Sequence, residues 1–222
     1  MNGLIQLAVE SFPLLLKGLG LTLELSIISL IIAMIIGLIS CLFGLSRSCI
    51  LRAISKIYVA IIRGTPLLVQ AFFIYFGITQ LCGFKMTAFA AGVISMSLNA
   101  GGYLSEIFRG GIQAVDKGQM EAARSLGLSK AKAMIKVILP QAIRICIPSV
   151  VNQCCITIKD TSIICVIGLA ELTWAGKQII ARTYQSFAVW IMVGIMYFIV
   201  IYALTVLARR LEKKVTLVED RD

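Results

Sequence analysis

The chain has no histidine, only four prolines, and just 14% Asp, Glu, Lys and Arg among its 222 residues. Each shortage excludes something. Without histidine, the commonest general base and metal ligand is missing. The seven cysteines (Cys41, Cys49, Cys82, Cys146, Cys154, Cys155 and Cys165) are odd in number and contain no Cys-x-x-Cys spacing. A zinc or redox centre is therefore not expected, and the thiols read as small apolar packing groups. No Gly-x-x-x-x-Gly-Lys-[Ser/Thr] string occurs, so a phosphate-cradling loop is missing and the chain is not expected to hydrolyse ATP itself. The first basic residue is Lys17, so no charged n-region precedes the apolar run and no cleavable leader is expected. No cofactor is called for. With 59% hydrophobic residues and a mean hydropathy of +0.95, an ordinary soluble domain is excluded.

Long apolar runs fill the space left by charge. Five are long enough to cross ~30 Å of hydrocarbon at ~20 residues each: about 19–45, 57–81, 86–108, 145–169 and 187–207. The sequence thus predicts an all-α integral membrane protein with five transmembrane helices. Residues 1–18 read as an outer segment in which Leu4, Leu7 and Ala8 share one face of an interfacial helix. Residues 19–208 form the transmembrane domain, and 209–222 form a tail. A net charge of +10 in a soluble protein would suggest nucleic acid. Here the basic residues follow a membrane pattern, and no nucleic acid is expected. Arg47, Arg52 and Lys56 share one loop; Arg109, Lys117, Arg124, Lys130, Lys132, Lys136 and Arg144 share the long loop 109–144; Arg209, Arg210, Lys213, Lys214 and Arg221 share the tail. Lys17, Lys85, Lys177 and Arg182 fall on the other side. The positive-inside rule then places the N-terminus outside and the C-terminus in the cytoplasm.

Polar groups inside the apolar runs are costly and point to function. The second run contains Arg63-Gly64-Thr65-Pro66, where Pro66 removes the bond its N–H would make to Ile62, so a kink is expected. Such a kink serves either packing or a polar pathway. The third run carries Asn99, Tyr103 and Glu106. Glu106 either faces a ligand or pairs with Arg109 one turn away. The fourth run carries Lys159, Asp160 and Ser162, and the adjacent Lys159 and Asp160 are either a structural ion pair or ligand contacts. At ~1.5 Å per residue, Thr65 and Asn99 lie ~12 and ~13 Å from the cytoplasmic ends of their runs, and Asp160 lies ~18 Å from Pro148, taken as the start of its span. Three helices thereby place polar groups near the middle of the membrane. An amino acid zwitterion crossing there needs acceptors for its ammonium, which Asp160 and Glu106 offer. Thr65, Asn99, Ser162 and the backbone at Pro66 are suited to orienting it. Five spans are few for a closed pathway, which argues for a dimer.

The stretch Gln119–Gln141 is the longest polar passage between apolar runs. Glu121, Ala122 and Ala123 favour a helix that Gly127 ends by adopting a positive φ. Ser129 is placed to cap a second helix with Ala131, Met134, Ile135 and Ile138 on one face, ended by Pro140. A compact helix-Gly-helix element with a basic face is shaped to press on another protein at the membrane surface.

Glu121, Ala122, Ala123, Gly127, Leu139 and Pro140 stand at the spacing of the EAA loop of ABC importer permeases, with Val137 where that family usually carries Ile. Three further stretches resemble permeases of polar amino acid importers: Arg63-Gly64-Thr65-Pro66-Leu67-Leu68-Val69-Gln70; Leu98-Asn99 with Tyr103, Glu106 and Arg109; and Lys159-Asp160-Thr161-Ser162 followed by Gly168-Leu169-Ala170-Glu171-Leu172. Thr22 to Ser26 is similar to the string that opens such permeases. Gly101-Gly102 is looser than the family pattern. The resemblance implies a type I ABC importer-like permease in the bacterial plasma membrane, surrounded by lipid. It implies three partner proteins: an ABC ATPase subunit, a second permease subunit and an extracytoplasmic substrate-binding protein. The polar amino acid would meet Thr65, Pro66, Gln70, Asn99, Tyr103, Glu106, Asp160 and Ser162. Glu121, Ala122, Ala123, Arg124 and Gly127 would couple to the ATPase. A channel would also use polar groups at half depth but would transport without the ATPase, and a scaffold would tolerate Asp160→Asn.

Overall fold

The computed structural model describes residues 2–216, and every regular element among them is helical. Residues 217–222, the end of the tail expected at 209–222, lie outside the described residues. The first helix, α1, runs Asn2–Gly44 without interruption, Pro13 included. The boundary expected at residue 18 is not marked by any break. Gly18 is instead a point of close approach, where a Cβ would stand 2.9 Å from the Cα of Leu172.

The second run is not one kinked helix. Helix α2 (Cys49–Gly64) ends at Thr65, whose φ of −124° and ψ of 142° are extended. Helix α3 (Leu67–Phe72) restarts after Pro66 and continues through a π-helical turn, Phe73–Ile78, into α4 (Thr79–Cys82). The two halves are bent by 106°. Proline disfavours helical geometry at the residue before it as well as removing a donor, so Thr65 leaves the helix and a kink becomes a break.

Helix α5 (Ala88–Ala114) is capped by Thr87, whose hydroxyl accepts from the Ala90 amide at 3.2 Å. Its buried face is mostly small (Ala91, Gly92, Ser95, Ser97, Ala100, Gly101, Gly102 and Ser105), with Met96, Asn99 and Leu104 among them. With so little side chain, backbones approach closely. α1 lies along this face in the most extensive helix pairing of the molecule, and Gly37 of α1 has no room for a Cβ beside Leu104. The apparent looseness of Gly101-Gly102 is tight packing, against Ile36, Tyr58 and Ile62.

After the short helices α6 (Lys117–Ser125) and α7 (Lys130–Ala133) comes a π-helical turn, Met134–Ile138, and then α8 (Leu139–Ile164). Pro140 does not end a helix, contrary to expectation. The wider π turn shifts the hydrogen-bond register just ahead of it, so a residue without an N–H is accommodated at the first turn of α8. The same shift rotates the expected apolar stripe. Ala133 and Ile138 are buried while Ile135 is 64% exposed. Helix α9 (Leu172–Thr183) follows a 3-10 turn and Gly168, and α10 (Ser186–Thr216) closes the chain.

Among the described residues, three helices are long and apolar enough to cross a membrane: Gln6–Gly44, Lys130–Ile167 and Ser186–Leu207, with the bent pair as a fourth. α5 is 27 residues long, but its serines, Asn99, Glu106 and Arg109 lower its hydropathy. Two larger cores, with two smaller ones, hold the helices together. One joins Leu25 of α1, Ala71 of α3, Ala91 and Met96 of α5 and Ile164 of α8. The other joins Leu7 and Leu15 of α1, Leu172, Ala175 and Ile179 of α9, and Val189 and Val193 of α10.

Candidate functional site

The break at Thr65-Pro66 strands backbone carbonyls, and one side chain collects them. The Gln70 Nε2 donates to the Ile62 carbonyl at 2.9 Å, the Thr65 carbonyl at 3.1 Å and the Thr65 hydroxyl at 2.9 Å. The Ile62 carbonyl is the acceptor that Pro66 cannot serve. Asn99, only 8% exposed, donates its Nδ2 to the Gln70 Oε1 at 3.0 Å, so α5 braces the break. Thr65 also donates to the Ile61 carbonyl at 2.8 Å. Thr65, Gln70 and Asn99 thus meet in one cluster, with Pro66 exposed beside them.

Tyr103 and Glu106 belong to a second cluster, nearer the Ala114 end of α5. Arg109 grips both oxygens of Glu106, at 2.9 and 2.6 Å. Arg63 approaches the same carboxylate at 3.5 Å and stands 5.5 Å over the Tyr103 ring. Arg109 also donates to Gln113 at 3.1 Å. Two guanidinium groups on one carboxylate leave this cluster net positive. In the sequence Arg63 is a costly charge beside a proline and the first residue of the string that resembles amino acid importer permeases. Its role as a clamp depends on α2 lying against α5, which no local pattern announces.

Asp160 and Ser162 stand apart from both clusters. Among the described residues the ion pairs are Arg63–Glu106 and Arg109–Glu106, and Asp160 and Lys159 enter neither. Asp160 is half-buried and Lys159 exposed, while Ser162 donates to the Lys159 carbonyl at 2.7 Å. One apolar core joins the helices that carry Asp160 and the Thr65 cluster. Asp160 lies one turn before Ile164, which packs with Ala71, next to Gln70, and with Met96, one turn before Asn99.

A network the sequence did not reveal lies behind Asp160. Glu171 has no exposed surface. It caps α9, accepting from the Thr173 amide at 2.9 Å and the Trp174 amide at 2.8 Å, and it accepts from the Tyr197 hydroxyl at 2.9 Å. The Tyr197 oxygen is 3.3 Å from the hydroxyls of Thr161 and Thr173. Tyr197 stands ~16 Å from Ser186, midway along the Ser186–Leu207 span. α9 therefore begins at half depth, where the expected fourth run, 145–169, was to have ended at the surface. The signal was weak because glutamate is not among the preferred capping residues.

The stretch 117–138 folds as two helices around a glycine. Asp116 caps α6, its Oδ1 accepting from the Gly118 amide at 2.7 Å. Gly127 has φ +85°. The Leu128 amide donates to the Ala123 carbonyl at 3.2 Å and the Gly127 amide to the Arg124 carbonyl at 3.0 Å, the paired bonds of a Schellman ending. Arg124 adds a bond to the Leu128 carbonyl at 3.1 Å, and Ser129 caps α7 through the Lys132 amide at 3.3 Å. Ala123 faces inward while Glu121, Ala122 and Arg124 are exposed. Val115, Ile138 and Ala142, with Met120 and Met134 packed on them, hold the element against the ends of α5 and α8.

Helices of membrane length broken at half depth beside amide and carboxylate groups, with an exposed basic element on a rigid turn, define a membrane-embedded transport subunit. Residues 29–217 match one family over most of the chain. The chain belongs to that family, the binding-protein-dependent transport system inner membrane components. It is 37% identical over 206 residues to the arginine transport system permease protein ArtQ of Bacillus subtilis, covering 93% of this chain and 94% of the relative. It is also 37% identical over 205 residues to the glutamine transport system permease protein GlnP of Escherichia coli, covering 92% and 94%. A crystal structure of an amino acid ABC transporter with histidines superposes with a TM-score of 0.89 at 39% identity, covering 93% of this chain and 96% of that one.

Proposed function

We propose that this chain is the permease subunit of an ATP-driven importer of polar amino acids. It does no catalysis itself. Two permease subunits, two copies of this chain or this chain with a similar one, form the pathway, each with five spans, the N-terminus outside and the C-terminus in the cytoplasm. A separate ATPase subunit receives the α6–α7 element through Glu121, Ala122, Ala123, Arg124 and Gly127. An extracytoplasmic binding protein delivers the amino acid.

One observation carries the reading. Lys130–Ile167 is a single helical rod, so the element at one end and Asp160 at the other belong to one rigid body ~45 Å apart along the axis. A push on α6 crosses the Leu126–Ser129 turn, which the paired bonds around Gly127 hold, and from Lys130 onward it is delivered to half depth along one continuous helix. Asp160, half-buried and outside both ion pairs, accepts the substrate ammonium. Thr65, Pro66 and Ser162 line the same pathway. Gln70 and Asn99 hold its broken wall, and Tyr103 and Glu106 act with Arg63 and Arg109 at its cytoplasmic mouth. The names of ArtQ and GlnP, and the histidines in the superposed transporter, support arginine, glutamine and histidine as the cargo to test.

The test is uptake of radiolabelled arginine, glutamine and histidine by vesicles holding the permease with its ATPase and binding protein. Asp160→Asn should abolish ATP-driven uptake of all three while the complex assembles normally. Undiminished uptake by that variant would defeat the assignment of Asp160.

A further inference from the structure

α8 is followed after a short turn by α9, and the break between the two helices is where this inference begins. α8 ends at Ile164, a 3-10 turn follows, and Gly168 adopts φ +89°. Ala175 then closes the first turn of α9, its amide donating to the Glu171 carbonyl at 2.9 Å. A helix start at half depth leaves amide N–H groups that lipid cannot satisfy. The Glu171 carboxylate takes two of them, and the Leu172 amide donates to the Thr22 hydroxyl of α1 at 3.2 Å.

The hydrogens can be followed through the network. Carboxylate oxygens only accept, so the Tyr197 hydroxyl donates to Glu171 Oε2. The Tyr197 oxygen can then accept from Thr173 of α9 and Thr161 of α8, both at 3.3 Å. The Thr161 hydroxyl has a competing acceptor in the Ile158 carbonyl at 2.7 Å. Tyr197 thus touches both α8 and α9. Thr161 has no exposed surface and directly follows Asp160, which projects about 100° away around the helix.

We infer that Glu171 and Tyr197 are positioning residues: by fixing the rotation of α8 through Thr161, they aim the Asp160 carboxylate into the pathway. This rests on Asp160 being the ammonium acceptor proposed above. Neither residue touches the amino acid. Their effect is on how well a bound substrate is met, because a misaimed carboxylate loses most of its value for a charged ligand.

Equilibrium binding of radiolabelled arginine and glutamine to the detergent-solubilised permease–ATPase complex, without binding protein, tests this. Basal ATPase rate is read on the same samples. Tyr197→Phe keeps the ring and removes only the hydroxyl, and Thr161→Val removes the partner hydroxyl at similar volume. Each should weaken amino acid binding by roughly tenfold while basal ATPase stays within about twofold. The double variant should be no weaker than Tyr197→Phe alone, since both changes cut one link. Wild-type binding by both single variants, with Asp160→Asn binding lost, would overturn the positioning role and leave Asp160 as the acceptor. Undiminished binding by Asp160→Asn, or no binding by the parent complex, would overturn the Asp160 assignment and the positioning role together.

Discussion

Gln70→Leu is the substitution whose consequence can be worked out most fully. Its side chain donates to three oxygens at the Thr65-Pro66 break and accepts from Asn99. The oxygens are not equivalent. Thr65 is exposed and its groups recover other partners, whereas Ile62 is only 8% exposed and its carbonyl has already lost the Pro66 amide. Leaving that carbonyl unpaired should cost ~1–3 kcal/mol. The Asn99 bond adds ~0.6 kcal/mol, the average for interhelical hydrogen bonds within membranes. Gln70→Leu should therefore destabilise by about 1.5–3.5 kcal/mol. Asn99→Leu should cost ~0.6 kcal/mol on hydrogen bonding alone, since the Gln70 donor set survives. Gln70→Glu should be at least as damaging as leucine, because a carboxylate can accept from Asn99 but repels the two carbonyls. Reversible unfolding of the purified protein in denaturant, read by tryptophan fluorescence, gives the order. A loss from Asn99→Leu larger than that from Gln70→Leu would refute this account of the break.

Other consequences follow from the same geometry. Gly127→Val forces a β-branched residue to φ +85°, where even an unbranched residue costs ~1–2 kcal/mol; ATP-driven uptake should collapse while membrane insertion, measured by protease protection, is unchanged. Gly127→Asn, which tolerates that region, should retain most uptake. Gly18→Leu should be among the most destabilising single changes, because the Leu172 backbone lies 2.9 Å from the position of any Cβ there; expression and thermal stability in detergent report it. Glu106→Gln removes the partner of two guanidinium groups, and Glu106→Gln combined with Arg109→Gln should recover part of the stability lost by the single change in the same unfolding assay.

The parts of this structure legible in the sequence were those encoded within a few residues. Ser129 as a cap, Gly127 as a left-handed helix end and Pro66 as a disruption each follow from one residue's backbone chemistry, and each is present. The Glu106–Arg109 pair, one turn apart, is one of the two arrangements the sequence allows and is the one observed. What escaped depends on distant segments. That Gln70 would turn back to Ile62 needed α5 and Asn99 alongside. The Glu171 network needed α1, α8 and α10 to converge on a helix start with an atypical cap. Pro140 was misread because π turns have no strong sequence signature, and one such turn moved Ile135 out of the expected apolar face. The uninterrupted α1 escaped for a related reason: residues 1–18 read as a separate outer segment, but Gly18 lies inside the helix, where it admits Leu172.

The central claim is that the α6–α7 element transmits work from a separate ATPase to Asp160 through one rigid helix. Proteoliposomes containing this permease with its ATPase and binding protein, compared with proteoliposomes containing the permease alone, test it directly with labelled arginine and glutamine. Accumulation against a gradient should occur only in the first set, only with ATP, and not with Gly127→Val. Accumulation by the permease alone, or undiminished coupled uptake by Gly127→Val, would contradict it.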